Sequence, residues 1–259
     1  SNPLRLRPLG KRIRNRKNAD PGVIFMREIR YAAVNGKEIP VLISDENEAL
    51  LAARAAGGAI VGLWSGEGRG TAAPYAVEAL SDVTEEFLER AARRHLGLPW
   101  RICETRRLLV REMTGDDFDE VWANQVGRGF GSVEELEAYT KHQYTFYEFG
   151  FWALVEKETG DLIGVAGLKV PEEDGKEEQE LVKLELFNGR ENAGDGEVVL
   201  ELGYHIFPAY RRRGYGLESC AGILEYGRRE LEADRFLVRI RKENVPSLVL
   251  AEKLGFREK

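Results

Sequence analysis

Hydrophobic and polar positions fall into two series of short periodic segments, and the break between them is at Pro99-Trp100. In the first series, Ile39 to Ser44 and Ala59 to Trp64 are apolar runs of strand length, the second apolar enough to be buried. Between them, Asp45 or Glu46 opens a helix with Leu50, Leu51, Arg54 and Ala55 on successive turns, and Gly57-Gly58 stops it. Pro74 to Ala79 predicts a short third strand. Thr84 to Leu96 predicts an amphipathic helix with Phe87, Leu88, Ala91 and Leu96 inward. This order and these lengths predict a small parallel α/β domain over residues 21–100.

The second series begins with a strand at Arg107 to Arg111. Thr114 to Asp117 caps a helix running to about Val126, and Ser132-Val133-Glu134-Glu135 is a capping box for another helix through Tyr144. Phe149 to Glu156 and Leu162 to Val170 are strands joined by a turn-rich hairpin link. Leu181 to Phe187 alternates like a strand, Val198 to Phe207 is a longer one, and Leu217 to Leu231 is helical. A last strand, Arg235 to Arg241, precedes a helix that starts near Asn244. The fold class is α/β (α+β), with a mixed sheet flanked by helices over residues 101–259. The acidic, turn-rich stretch from Pro171 to Glu180 and the segment from Asn188 to Gly196 read as solvated connections, as does the loop from Ser65 to Thr71. Gly66-Glu67-Gly68-Arg69-Gly70 has no Lys-Ser/Thr after it, which argues against a nucleotide P-loop.

Charge changes this picture at one end. Residues 1–17 hold seven basic side chains and no acid, so removing those seven charges from the net −6 leaves −13 on the rest. Residues 1–20 are therefore expected to be a basic flexible tail, and a nucleic-acid role is disfavoured by the acidic remainder. That acidic balance favours a cationic or amine substrate. No apolar run approaches the roughly 20 residues of a membrane helix, no apolar signal-peptide core is visible, and Cys103 and Cys220 form no disulfide framework. A reducing cytoplasm is the expected location. Both cysteines are expected to be buried structural thiols, and no metal site is expected.

The chemistry concentrates in Arg211-Arg212-Arg213-Gly214-Tyr215-Gly216, between a strand and a helix. A glycine-rich turn there directs backbone N–H groups at a helix N-terminus, which suits a phosphate, and the arginines add charge. About thirty residues on comes Asn244-Val245-Pro246-Ser247, followed by Glu252-Lys253-Leu254-Gly255-Phe256. Together these motifs resemble the GNAT superfamily of acetyl-CoA-dependent N-acetyltransferases, in its ribosomal-protein-alanine acetyltransferase-like branch, over roughly Glu104 to Lys259. The first hundred residues resemble a haloacid-dehalogenase-type or receiver-like fragment. They lack its Asp-x-Asp motif, and a structural or regulatory role is expected of them.

The GNAT resemblance implies acetyl-CoA as cosubstrate and direct attack by a primary amine, of a small molecule or a peptide or protein N-terminus. It implies that Arg211, Arg212, Arg213, Gly214, Tyr215 and Gly216 hold the pyrophosphate and that Ile206 and Phe207 lie beside the pantetheine. The N–H of Ile206 would face the thioester oxygen. Asn244 and Ser247 match positions near the pantetheine and sulfur, and they equally read as a helix cap pair. Glu201, just before the Gly203-Tyr204 pair, is the candidate base, and His205 shares its face of the strand. The aromatic stretch from Tyr139 to Trp152 would border the acceptor site or pack the core.

Two departures from the family pattern stand out. The tyrosine that often serves as acid is Ala251 here, which leaves Ser247 or water. Only three residues follow Phe256, so the sheet edge beside Arg235 to Arg241 is expected to need a second chain, as in a homodimer, or the amino-terminal segment. A non-catalytic acetyl-CoA sensor or scaffold is the alternative function.

Overall fold

The computed structural model describes residues 26–64, 70–124, 130–171, 180–188 and 197–258. The basic stretch of residues 1–17 and the expected loops at 65–69, 172–179 and 189–196 lie outside them. The chain forms two compact units that part between Trp100 and Arg101.

The first unit is a four-stranded sheet in the order β1 (Arg27–Val34), β2 (Lys37–Ser44), β3 (Ala59–Leu63), β4 (Ala76–Val77). The sheet is mixed rather than parallel, because β1 runs antiparallel to β2 while β2, β3 and β4 run parallel. The hairpin turns on Asn35-Gly36, both in the left-handed region at φ 49° and 77°, the pairing that a right-twisted two-residue hairpin requires. Helix α1 (Asn47–Ala55) puts Leu50 against Ile60 and Ala73. Helix α2 (Glu85–His95) covers the other face, where Val34, Val41, Ile43 and Val61 meet Leu88 and Ala92. Thr84 caps α2 by accepting the Phe87 N–H. The helix ends one residue before Leu96, which is exposed rather than inward because it has become the C-cap.

The second unit is a seven-stranded sheet with helices on both faces. Its elements are β5 (Arg101–Glu104), β6 (Leu108–Arg111), α3 (Phe118–Ala123), α4 (Val133–Phe146), β7 (Phe151–Glu156), β8 (Leu162–Lys169), β9 (Leu181–Phe187), β10 (Val199–Ile206), α5 (Tyr215–Arg229), β11 (Arg235–Arg241) and α6 (Val245–Lys253). The strand order is β5-β6-β7-β8-β10-β11-β9, and only β10 and β11 pair in parallel. On one face α5 packs Tyr226 edge-on to the buried Trp152, and Gly227 lies close against Phe236 and Leu168. On the other face Val121 and Leu136, from α3 and α4, meet Ala153 and Val165. Ser132 caps α4 by accepting the Glu135 N–H. Before α3, Asp117 accepts the Thr114 N–H and holds Arg111 through both carboxylate oxygens.

The edge beside β11 is filled from within the chain. Strand β9 leaves β8, passes to the far side of β11 and pairs with it along its whole length, from Arg235↔Phe187 to Arg241↔Leu181. Leu184 and Leu186 point to the α5 and α6 side, where Leu186 reaches Gly255. Beyond β9, Glu185 and Arg257 exchange backbone hydrogen bonds. No second chain or amino-terminal segment is needed at β11, which corrects the sequence-based expectation. The strand pattern of residues 181–187 contains the answer, but its partner is a matter of topology.

Candidate functional site

The site is built by a parting of the sheet. β10 and β11 pair only at Val199 to Glu201 with Arg235 to Leu237. Beyond that point β10 stays with β8 through Ile206, while β11 stays with β9 through Arg241. Phe207 donates its N–H to Ile163 on the β8 side. Alternation along the strand then aims the N–H groups of Tyr204 and Ile206 toward the opening, past the last residue paired with β11. An extended chain can pair with such a free edge like an added strand.

A helix N-terminus closes this end of β10. The turn takes Arg212 to φ 65° and Gly214 to φ 83°. The first turn of α5 closes with the Glu218 N–H on the Gly214 carbonyl, so the N–H groups of Tyr215, Gly216 and Leu217 point out of the helix. Arg211, Arg212 and Arg213 are exposed around them. Arg211 also donates through Nε to the Ile206 carbonyl, tying the turn to the strand end. A Cβ on Gly216 would come 2.9 Å from Leu250 Cδ1, so glycine there lets α6 approach α5.

Arg107, more than a hundred residues earlier, braces this turn. Its Nη1 donates to the Arg213 carbonyl at 3.0 Å, its guanidinium lies 4.2 Å over the Tyr215 ring and its Nε donates to Glu218. The Tyr215 hydroxyl donates to the Glu156 carboxylate. Arg107→Ala is expected to loosen the turn and cost about 0.5–1 kcal/mol of stability, read as a lower urea midpoint.

Glu201 stands at the fork itself, 7% exposed. Its carboxylate faces Lys169 of β8 at 3.7 Å and Arg239 of β11 at 3.3 Å, so it bridges the two arms of the parted sheet. His205 lies on the same face, in the parted stretch. Its Nε2 is buried with no hydrogen-bond partner. Burial, then the positive charge of Arg211, lowers its pKa below the usual histidine value, against the pull of the Asn124 contact. Gly203 lies between the two, and a Cβ there would strike the Phe151 ring at 2.8 Å. Of the aromatic stretch, Tyr144, Phe149 and Trp152 are core, while Phe151 lies over this face of β10.

Tyr204 points to the opposite face, toward α5 and α6, close to the Gly216 and Ile206 positions. Its hydroxyl lies within reach of Ser247, and burial first of all raises its pKa above the usual tyrosine value. Glu201 and Ser247 therefore lie on opposite sides of β10, Glu201 where the parting begins and Ser247 beside Tyr204 within it. Asn244 caps α6, accepting the Ser247 N–H at 3.3 Å. Asn244→Ala is expected to cost about 1 kcal/mol of stability, read as a lower urea midpoint with an unchanged slope.

Cys220 is buried, its pKa raised to about 12 by desolvation. Cys103 is only partly buried, at the short, exposed end strand β5; desolvation, then Glu104, raises its pKa to about 11. Among the described residues no cluster of His, Cys, Asp and Glu could hold a metal, and no helix is long and apolar enough to cross a membrane.

The family described as "Acetyltransferase (GNAT) domain" matches residues 107–257. The chain belongs to the GNAT acetyltransferase family. The chain is 37% identical over 62 residues to an uncharacterized N-acetyltransferase, YnaD, of Bacillus subtilis (strain 168), a match covering 24% of this chain and 36% of that protein. It is 39% identical over 51 residues to alpha/beta-tubulin-N-acetyltransferase 9 of Mus musculus, covering 20% of this chain and 21% of that one. The chain thus spans about a third or less of these curated relatives. A solved structure of a putative ribosomal-protein-serine acetyltransferase from Vibrio cholerae aligns over 60% of this chain and 82% of its own, at 23% identity and a TM-score of 0.43.

Three residues around the parted stretch and its turn carry little sequence signal of their own. Arg107 sits in an ordinary strand start, His205 reads equally as a core residue, and Tyr204 gains its meaning only from Ser247 across a helix.

Proposed function

We propose that this GNAT domain binds acetyl-CoA and transfers the acetyl group to a primary amine, of a small molecule or of a peptide or protein N-terminus, by direct attack. The observation that carries the reading is the parted β10–β11 pair with the α5 N-terminus at its open end. The residues suit the cofactor: outward N–H groups at α5, a left-handed Gly214, and the arginines at 211–213 form a cradle for a pyrophosphate. When bound, acetyl-CoA supplies an activated acyl group.

In this reading Arg211, Arg212, Arg213, Gly214, Tyr215 and Gly216 hold the phosphates. Ile206 and Phe207 flank the pantetheine, with the Ile206 N–H donating to the oxygen on which negative charge develops. Asn244 fixes the start of α6 beside it. Glu201 receives the amine proton from the face that carries Phe151. Ser247, with Tyr204 beside it, supplies a proton to the departing thiolate from the opposite face, in place of the tyrosine that Ala251 replaces. A second reading gives the base role to His205, and the buried, unpartnered Nε2 favours it. We assign the protein to the cytoplasm on its two unpaired cysteines, and residues 21–100 to a structural or regulatory role.

Calorimetric titration with acetyl-CoA, followed by a thiol-release screen over small amines and peptides, tests the reading. Saturable binding with turnover on one amine class supports it. Binding without turnover on any amine would favour the sensor alternative, and no binding would remove the cofactor assignment.

A further inference from the structure

We propose that two copies of this chain associate through β1, edge to edge and antiparallel about a two-fold axis at Ile29, so that two four-stranded sheets become one. Among the described residues β1 is an outer strand of its sheet, with β2 as its one neighbour. The direction of its free backbone groups follows from the hairpin. Val34 and Lys37 close a two-residue turn, and such a closing pair exchanges both of its hydrogen bonds. Alternation then turns Val34, Ala32, Arg30 and Glu28 toward β2, and Ala33, Tyr31, Ile29 and Arg27 outward. Pro40 agrees with this parity: it lies opposite Tyr31, where a residue without an N–H loses nothing.

An antiparallel partner centred on Ile29 meets every requirement of that edge. Ile29 faces Ile29 of the second copy, and Arg27 faces Tyr31, so the outward-pointing residues form the hydrogen-bonded pairs. Glu28 then faces Arg30, and Arg30 faces Glu28, in the closely spaced pairs between them. Within one chain Arg30 Nε already donates to Glu28 at 2.6 Å; the second copy completes an alternating square of two acids and two bases. Edge strands that avoid pairing carry charges that repel or point inward. Here the charges repel in no pair of this register.

The side chains add an apolar reason. Ile29 and Tyr31 are 58% and 62% exposed on the face that α1 leaves uncovered, whereas Ala32 and Val34 on the other face are buried under α2. In the paired arrangement the two Ile29 side chains meet at the axis, flanked by the two Tyr31 rings, each beside an arginine. An isologous contact of this kind closes after two copies.

Sedimentation of the full chain over a concentration series tests the proposal. The wild type is expected to form a dimer. Glu28→Arg places four bases around the axis, and Arg30→Glu places four acids, so each variant alone is expected to dissociate about tenfold more readily or to be monomeric. An equimolar mixture of the two restores every opposite-charge pair and is expected to recover a dimer, an outcome that local misfolding cannot produce. Ile29→Lys, at an exposed position that leaves the core intact, is expected to yield a monomer with unchanged acetyl-CoA binding. A monomeric wild type, variants that stay dimeric, or a mixture that stays dissociated would each overturn the proposal.

Discussion

Replacing Glu201 with glutamine is expected to lower kcat by about 10²–10⁴-fold, the range for loss of a positioned base. Acetyl-CoA affinity should change little, because the carboxylate faces the α3 and α4 side of β10, away from the α5 N-terminus. A urea titration of the same variant checks that loss of the Lys169 and Arg239 ion pairs has not opened the fork. The comparison with His205→Gln decides between the two bases. If His205 is the base, its variant takes the loss and Glu201→Gln retains its rate. The pH profile then has a defined sign. Burial and Arg211 lower the His205 pKa, so the neutral, proton-accepting form persists to more acidic pH than for a free histidine. The rate should hold through pH values where an ordinary histidine would charge, then fall on further acidification, and that fall should vanish in His205→Gln. Full kcat in both variants would exclude both residues.

The turn proposed to hold the pyrophosphate gives the other large effect. Gly214 sits at φ 83°, where a β-branched side chain is strained by about 1–2 kcal/mol. A side chain at Gly216 would push on Leu250 of α6. Gly214→Val with Gly216→Val is expected to weaken acetyl-CoA binding by about 100-fold or more, the equivalent of losing two charge-assisted hydrogen bonds. Calorimetry reads the affinity. Gly214→Ala, with a smaller intrusion, should keep the fold by circular dichroism and still bind more weakly. Wild-type affinity in the double variant would mean that the phosphates lie elsewhere.

Local signals in the sequence were strong wherever a single residue settles a backbone choice. Ser132 and Thr84 cap α4 and α2, Gly57 turns left-handed after α1, and Asn244 caps α6. The apolar periodicity of residues 181–187 and 199–206 marks both as strands for the same reason, since each needs one face buried. Strand β1 was missed although Asn35-Gly36 is a strong hairpin signal, because its exposed face mixes Arg27, Ile29 and Tyr31 and blurs the alternation. With β1 missed, the sheet read as parallel.

The sequence by itself determined the α/β class, the strand–turn–helix at 211–216, and the GNAT family to which those motifs belong. These depend on residues close in the chain, whose steric and hydrogen-bonding preferences act locally. Only the tertiary structure decided that β9 fills the place beside β11, that Arg107 braces the turn, that Glu201 bridges Lys169 and Arg239, and that Tyr204 meets Ser247. Each of these joins groups far apart in sequence. Their pairing is fixed by which arrangement buries the most apolar surface while satisfying both edges of the sheet, and no local preference encodes it.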